Sequence, residues 1–144
     1  MKKRILVIDD NLVILDLLQS MLQERGYEVM ITTDGCSALE LIKIRRPDLI
    51  LLDLSMPIMS GYEFIEHFRQ RYQAYGSIPI ILFTAHQLPL HEIERLEVAG
   101  YLQKPFHLKE LLNKISGLLS LSRCQTEVCN GVQREGAQLS PSLA

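Results

Sequence analysis

Five short apolar runs, each followed by a segment of helical periodicity, constrain the fold of this chain more than any other feature. The runs are residues 5–8, 27–31, 49–52, 78–83 and the short pair 101–102. Several are continuous rather than alternating, which is typical of strands buried on both faces of a parallel sheet. Five strand–helix units therefore predict an α/β fold, in which a five-stranded parallel sheet carries helices on both faces.

The segments between these runs repeat apolar residues at helical spacing. The predicted apolar stripe of a first helix, which Gly26 would end, comprises Val13, Leu17 and Met21 with their neighbours Ile14, Leu18 and Leu22. Pro89 is acceptable in the first turn of the fourth predicted helix. The other helices are predicted around residues 38–42, 62–72, 88–98 and 108–119.

Length and composition describe one soluble domain with a tail. The 144 residues, 47% of them apolar, suffice for a buried core without disulfides, and the three cysteines are expected to be free thiols. The helical pattern stops after residue 121. Residues 1–121 are thus predicted to form the domain, and residues 122–144, which are polar and without periodicity, a flexible tail or linker.

Net charge and hydropathy restrict the binding partners and the cellular location expected for the chain. The net charge of −2 provides no general electrostatic reason to bind nucleic acid or an anionic membrane. No stretch approaches the ~20 apolar residues of a membrane span, and acidic residues interrupt the apolar run at the start too early for a signal peptide. We therefore expect a cytoplasmic protein.

Chemically active side chains stand where the predicted strands end. Asp9 and Asp10 follow the first strand, Asp53 follows the third, Thr84 ends the fourth, and Lys104 follows the fifth. Because the carboxyl ends of parallel strands meet at one edge of the sheet, these residues are expected to converge there.

This set of side chains suits phosphoryl transfer. Three carboxylates repel one another unless a cation lies among them, and oxygen ligands with few protein contacts suit Mg²⁺. A central aspartate can act as the nucleophile and form an acyl phosphate. A lysine and a threonine can neutralise and hydrogen-bond the remaining phosphoryl oxygens.

These motifs resemble the receiver domain of two-component response regulators, the CheY-like family. The likeness rests on Asp9-Asp10, on the run of residues 53–61, on Thr84-Ala85 and on Lys104-Pro105-Phe106, and it covers residues 4–120. The four pieces occur in the family's order and at nearly its spacing. The resemblance implies the flavodoxin-like (βα)5 arrangement of sheet and helices, and a signalling domain that assists its own Mg²⁺-dependent phosphorylation and dephosphorylation rather than a metabolic enzyme.

The resemblance also implies a role for each matching position. Asp53 would be the phosphoacceptor. Asp10 would bind Mg²⁺ directly, Asp9 directly or through water, and Ser55 through its backbone carbonyl, with Asp53 completing the set. Thr84 and Lys104 would each contact a phosphoryl oxygen.

Three further positions relate to switching and rate. Tyr101 matches the aromatic residue of the family that turns inward when the hydroxyl of Thr84 moves. Ser55 and His86 stand where the family tunes access of water to the phosphoryl group, and we expect them to set the lifetime of the phosphorylated state. The segment before Tyr101 is about two residues shorter than is usual in the family, which affects the expected shape of the fourth helix and the output face.

The resemblance implies partners as well. The phosphoryl donor would be a sensor histidine kinase or a histidine phosphotransfer protein. Output would pass through contacts with a downstream protein, because no DNA-binding motif follows residue 121. Whether phosphorylation also drives formation of a homodimer is left open by the sequence.

Three alternatives remain from the sequence. The chain is interpreted as a free-standing regulator that signals through a phosphorylation-dependent protein-binding surface, and the nearer alternative is a receiver from a longer multidomain regulator. An aspartate-nucleophile phosphatase of the haloacid dehalogenase type would need a second aspartate where Ser55 stands. A flavodoxin-like cofactor binder would need a phosphate-binding loop after the first strand, where Asp9 and Asp10 would repel phosphate.

Overall fold

A computed structural model of the chain describes residues 2–56, 58–72 and 78–129, with side chains described up to residue 120. Strands and helices alternate along this part of the chain. The strands are β1 (Arg4–Ile8), β2 (Glu28–Thr32), β3 (Leu49–Leu52), β4 (Ile80–Thr84) and β5 (Gly100–Gln103). The helices are α1 (Leu12–Glu24), α2 (Gly35–Ile44), α3 (Gly61–Arg71), α4 (Leu90–Leu96) and α5 (Leu108–Cys129).

The five strands form one parallel sheet in the order β2-β1-β3-β4-β5. From β1 the chain first adds β2 on one side and then β3 on the other. The connections that leave β1 and β3 therefore diverge, and a crevice opens at the carboxyl ends of these two strands. The predicted fold class is confirmed.

Apolar side chains fill both faces of the sheet. Alternate residues of the central strands point to opposite sides, so that Ile5 and Val7 face α1 and α5, while Leu6 and Ile8 face α2 and α3. Both groups are fully buried. This double burial explains why the sequence of β1 is continuously apolar.

The predicted stripe of α1 matches the buried side of the helix at Leu18 and Leu22 but not at Val13 and Leu17. Val13 is 76% exposed and Leu17 is 46% exposed, whereas the buried side of the helix carries Leu15, Leu18 and Leu22. The helix is apolar over much of its circumference, so the apolar pattern alone does not determine which side packs on the sheet.

Several boundaries differ from those that the sequence predicts. β4 begins at Ile80, and α4 spans only Leu90–Leu96, with Pro89 at its N-cap rather than inside its first turn. α5 continues to Cys129, so helix extends beyond the predicted end of the domain at residue 121. That domain boundary stays a prediction, and residues 130–144 of the predicted tail lie outside the described residues. Among the described helices, none has the length and apolar character to cross a membrane.

Candidate functional site

Asp9 and Asp53 lie side by side at the carboxyl edge of the sheet because each continues a central strand. The peptide N–H of Asp9 donates to the carbonyl of Thr32 over 3.2 Å, and that of Asp53 donates to the carbonyl of Ile8 over 3.0 Å. The two carboxylates are buried, while Asp10 is exposed at the mouth of the crevice. The sheet thus fixes two of the three acidic groups through backbone hydrogen bonds.

The three carboxylates are close enough to share one cation. One oxygen from each of Asp9, Asp10 and Asp53 lies within 4.8 Å of the others. Hard oxygen donors of this kind suit Mg²⁺, which binds through a few carboxylates and retains several waters. The exposed side of Asp10 leaves room for such waters. The donor set therefore fits a divalent cation.

Lys104 supplies the positive charge in this group of side chains. Its Nζ donates to Oδ2 of Asp9 over 2.8 Å and lies 3.6 Å from Oδ2 of Asp53. The lysine side chain is 20% exposed, so both ion pairs are largely removed from water. A partly buried ammonium between two buried carboxylates offsets the repulsion between them.

Asp53 has a perturbed acidity. Burial raises the pKa of its carboxyl group, and the neighbouring charges of Asp9 and Asp10 raise it further. The peptide N–H of Ser55, which donates to Oδ1 over 3.2 Å, and the ammonium of Lys104 act in the opposite direction on this pKa. Burial is the largest of these effects, so the charged form of Asp53 is costly unless a further cation lies beside it.

Thr84 and Tyr101 are linked through the backbone of the segment after β4. The hydroxyl oxygen of the buried Thr84 accepts a hydrogen bond from the N–H of His86 over 3.3 Å. The hydroxyl of Tyr101 donates to the carbonyl of His86 over 2.9 Å and accepts from the N–H of Leu88 over 3.1 Å. A movement of the Thr84 hydroxyl therefore acts on His86, the residue whose carbonyl Tyr101 also contacts.

The loop between β3 and α3 places the Asp53 backbone against Gly61. A Cβ added at Gly61 would lie 2.7 Å from Cα of Leu54 and 2.8 Å from the carbonyl oxygen of Asp53. Ser60 begins α3 with a capping box, in which its side chain accepts from the N–H of Glu63 and the Glu63 side chain accepts from the Ser60 N–H. Only glycine permits this close approach of the helix to the phosphoacceptor segment.

The same loop exposes an apolar residue in an unusual conformation. Ile58 has φ of 69° and is 91% exposed. A β-branched residue rarely adopts the left-handed region, since its side chain crowds the backbone there. The loop above Asp53 thus holds one residue in a strained conformation.

Side chains of α3 hold α4 in place. The hydroxyl of Tyr62 donates to Oε2 of Glu92 over 2.5 Å, and burial together with this hydrogen bond raises the pKa of Tyr62 to about 12. Arg69 donates to the carbonyls of Leu96 over 2.6 Å and Glu97 over 2.8 Å, at the C-terminal end of α4. These contacts connect the short fourth helix to the rest of the domain.

The structure brings the predicted residues together to different degrees. Asp9, Asp10, Asp53 and Lys104 form one cluster, and Thr84 ends the adjacent strand. Ser55 contacts Asp53 through its peptide N–H while its side chain is exposed; His86 is exposed and reaches Thr84 through its backbone. The individual roles of these residues stay predictions.

Phe83 is a neighbour of the site that was not predicted from the sequence, and its ring centroid lies 4.9 Å from Nζ of Lys104. The order of the strands contained a signal for this contact. A lysine after β5 must pass over the end of β4 to reach Asp53, so the last apolar residue of β4 was a candidate neighbour. Arg69 and Tyr62 were also missed, and no local pattern identifies contacts between separate helices.

Comparison with known proteins agrees with this geometry. Residues 5–116 match the response regulator receiver domain family. The chain is 35% identical over 140 residues to a protein of Cyanophora paradoxa named "Probable transcriptional regulator ycf27", an alignment that covers 96% of this chain and 57% of the relative. The chain thus spans a little over half the length of that curated relative.

Two solved structures share the fold and carry magnesium. Response regulator TrrA from Thermotoga maritima, in complex with Mg²⁺-BeF, is 35% identical with a TM-score of 0.71, over 81% of this chain and 98% of that chain. The receiver domain of a sensor histidine kinase from Pseudomonas aeruginosa, with magnesium coordinated in the active-site cleft, is 30% identical with a TM-score of 0.68, over 78% of this chain and 93% of that chain.

The family match covers most of the chain, and the buried carboxylates, the threonine and the lysine stand at the edge where the sheet order opens a crevice. Sequence, topology and local geometry therefore agree that this chain belongs to the response regulator receiver domain family.

Proposed function

We propose that Asp53 accepts a phosphoryl group from a phosphorylated histidine of a sensor histidine kinase or a histidine phosphotransfer protein. The observation that carries this proposal is the placement of Asp53, a buried carboxylate 3.6 Å from Nζ of Lys104 and within 4.8 Å of two further carboxylates. An oxygen of Asp53 forms the new bond to phosphorus. The bond from phosphorus to the donor imidazole nitrogen breaks, and its electron pair stays on that nitrogen.

Asp9, Asp10 and Asp53 would hold Mg²⁺, with the backbone carbonyl of Ser55 as the further predicted ligand. When bound, the cation would neutralise charge on the carboxylates and on the phosphoryl oxygens. Magnesium in the active-site cleft of the related Pseudomonas aeruginosa receiver supports this assignment. The aspartate-nucleophile phosphatase is not favoured, because the chain matches the receiver family and has Ser55 where that class needs a second aspartate.

Lys104 and Thr84 act on the phosphoryl group from the protein side. The ammonium of Lys104 is already within 3.6 Å of Asp53 and needs little movement to pair with a phosphoryl oxygen. The oxygen of Thr84 accepts from the N–H of His86, which leaves the hydroxyl proton of Thr84 free to be donated. Both residues stabilise charge that the donor brings into the site.

The signal would leave the site through the segment after β4. Donation from Thr84 to a phosphoryl oxygen would reorient the hydroxyl that accepts from the N–H of His86, and the carbonyl of the same residue accepts from the hydroxyl of Tyr101. A shift of this segment biases the position of Tyr101 and α4, and with them a protein-binding surface. Ser55 and His86 would set the lifetime of the phosphorylated state by limiting water near Asp53.

A second candidate is a receiver that forms one part of a longer regulator. It is favoured by one observation, that the aligned region covers 57% of the curated relative. Residues 1–121 as the receiver domain, residues 122–144 as a tail or linker, and a cytoplasmic location belong to the proposal in either case. The site chemistry is the same for both candidates.

The test is the intact mass of the chain after incubation with Mg²⁺ and acetyl phosphate. We expect one added phosphoryl group, lost when the metal is chelated and absent from Asp53→Asn. Asp16→Asn is the matched control, because Asp16 is an exposed aspartate on α1. Addition to Asp53→Asn at the wild-type level, or none to the wild type, would contradict the proposal.

A further inference from the structure

The path of the Lys104 side chain follows from the order of the strands. Lys104 follows β5, Asp53 follows β3, and β4 lies between them. Adjacent strands are roughly 4.8 Å apart, so the lysine must extend across the carboxyl end of β4 to reach Asp53, and farther to reach Asp9. Its peptide N–H is anchored on the carbonyl of Thr84, over 2.7 Å.

The lysine crosses an aromatic ring on this path. Nζ of Lys104 lies 4.9 Å from the centroid of Phe83, which is fully buried near the end of β4. Phe106 packs against Phe83 with ring centroids 6.0 Å apart and ring planes at 88°. The edge-to-face contact with Phe106 fixes the orientation of the Phe83 ring.

We propose that Phe83 is a positioning residue for phosphoryl transfer, whose ring holds the ammonium of Lys104 over the end of β4. This inference rests on the proposed function of Asp53. The ring attracts a cation through its negative face, and that attraction has no single preferred hydrogen-bond direction. The ammonium can therefore shift from Asp9, where it lies 2.8 Å from Oδ2, toward a phosphorylated Asp53 without losing its contact with the ring.

A second phenylalanine serves as the comparison. Phe64 is also fully buried, but it belongs to the cluster on the opposite face of the sheet, where it stacks on Phe68 with ring centroids 5.9 Å apart. A change to either ring disturbs a core of similar character. Only the change at Phe83 alters the aromatic ring that lies beneath the ammonium of Lys104.

The experiment replaces Phe83 in the full chain with phenylalanines of increasing fluorination, which keep the ring shape while they weaken its attraction for a cation. We expect the rate of phosphorylation by acetyl phosphate and Mg²⁺ to fall stepwise, to roughly one-fifth or less with the fully fluorinated ring, the effect of losing about 1 kcal/mol of attraction. The same series at Phe64 should change the rate less than twofold. An equal fall at both positions would overturn the inference.

A double-mutant cycle separates positioning from packing. In the Lys104→Ala background the ring has no ammonium to hold, so fluorination of Phe83 should no longer change the residual rate. If fluorination lowers the rate as much in Lys104→Ala as in the wild type, Phe83 acts through packing alone and the proposal fails.

An NMR measurement tests the contact without phosphorylation. The ring current of Phe83 should shift the ε protons of Lys104 to high field, and Phe83→Leu should return them to the ordinary lysine position. Unchanged shifts in Phe83→Leu would overturn the inference. Because this readout needs no phosphoryl donor, it separates a failure of the Phe83 contact from a failure of Asp53 as phosphoacceptor.

Discussion

The carboxyl edge of β1 and β3 and the short helix α4 are held in place by different means. At the edge, Asp9 and Asp53 extend buried strands and are fixed by backbone hydrogen bonds to neighbouring strands. α4 has seven residues, no side-chain hydrogen bond at its N-cap, and Leu96 as its buried residue. A helix of this length is marginal alone, so its position depends on the tertiary contacts that it makes.

This difference assigns distinct tasks to the two regions. The site is rigid because unfolding it would disrupt the central sheet. α4 is held by side chains of α3, namely Tyr62 on Glu92 and Arg69 on the last carbonyls of the helix. A few side-chain contacts can be exchanged at smaller cost than the backbone hydrogen bonds of the sheet, so under the proposed function α4 is the region where a change at Asp53 would reach a partner.

The largest effect is expected from Lys104→Met, which leaves the buried carboxylate of Asp9 without its ion-pair partner. We expect the free energy of unfolding, measured by urea denaturation in EDTA, to fall by about 3 kcal/mol. Added Mg²⁺ should restore part of this loss, because a cation can again neutralise Asp9. Lys109→Met, at an exposed position of α5, is the control and should change stability by less than about 0.5 kcal/mol. Equal losses in both variants would contradict a buried ion pair at the site.

The second effect concerns the close approach of α3 to Asp53. Gly61→Ala places a Cβ within 3.0 Å of backbone atoms of Asp53 and Leu54, and we expect the free energy of unfolding in urea denaturation to fall by about 2 kcal/mol, with slower phosphorylation. Gly117→Ala is the matched control, because no neighbouring atom lies within 4 Å of its added Cβ. In the interior of α5 this change should raise the free energy of unfolding by roughly 0.5–1 kcal/mol. A stabilised Gly61→Ala would show that the loop is free to move.

A smaller and local effect is expected from Arg69→Met, which removes the donors at the end of α4. The amide protons of α4 should exchange with solvent about fivefold faster, equivalent to about 1 kcal/mol, while those of β1 and β3 keep their wild-type rates. Arg71→Met, at an exposed position of the same helix, should leave α4 unchanged. Faster exchange in β3 as well would mean that α4 and the site are one cooperative unit, against the contrast drawn above.

The smallest effect is a pH dependence. The pKa of Asp53 is raised in the folded chain, chiefly by burial, so the folded state binds its proton more tightly than the unfolded state does. This group's contribution to stability is therefore lost as the pH rises from the ordinary aspartate pKa through the raised one. Asp53→Asn lacks the titrating carboxyl group. In EDTA, the free energy of unfolding of this variant relative to wild type should therefore increase as the pH rises from the ordinary aspartate pKa through the raised one. A constant difference across pH would contradict the raised pKa.

The predicted fold and the predicted convergence of acidic residues at one edge of the sheet have the same physical cause. The apolar runs of β1 and β3 must be buried on both faces of the sheet. This burial places Asp9 and Asp53 at one edge of the sheet, independently of the exact helix boundaries. Asn11 is of a residue type that commonly caps helices, and its side chain accepts from the N–H of Val13 over 2.9 Å at the start of α1. Strand burial and helix capping depend on local residue patterns, and both can therefore be predicted from the sequence.

The parts that the sequence did not predict depend on contacts between distant segments. The exposed side of α1 was misassigned because Val13 and Leu17 are as apolar as the residues that pack on the sheet. The effect of the shortened segment before Tyr101 on the fourth helix stays a prediction. In the structure this helix ends at Leu96 before a left-handed Glu97, and Arg69 of α3 donates to the carbonyls of both residues, a contact between helices that no local pattern identifies.

The most direct test of the account is the location of the phosphoryl group. After incubation with acetyl phosphate and Mg²⁺, the chain is reduced with borohydride, which converts an acyl phosphate to an alcohol, and its peptides are mapped by mass spectrometry. The account predicts one reduced residue, Asp53, and none in chain kept without Mg²⁺. Reduction at another carboxylate, or a phosphoryl group that resists borohydride, would contradict Asp53 as the phosphoacceptor.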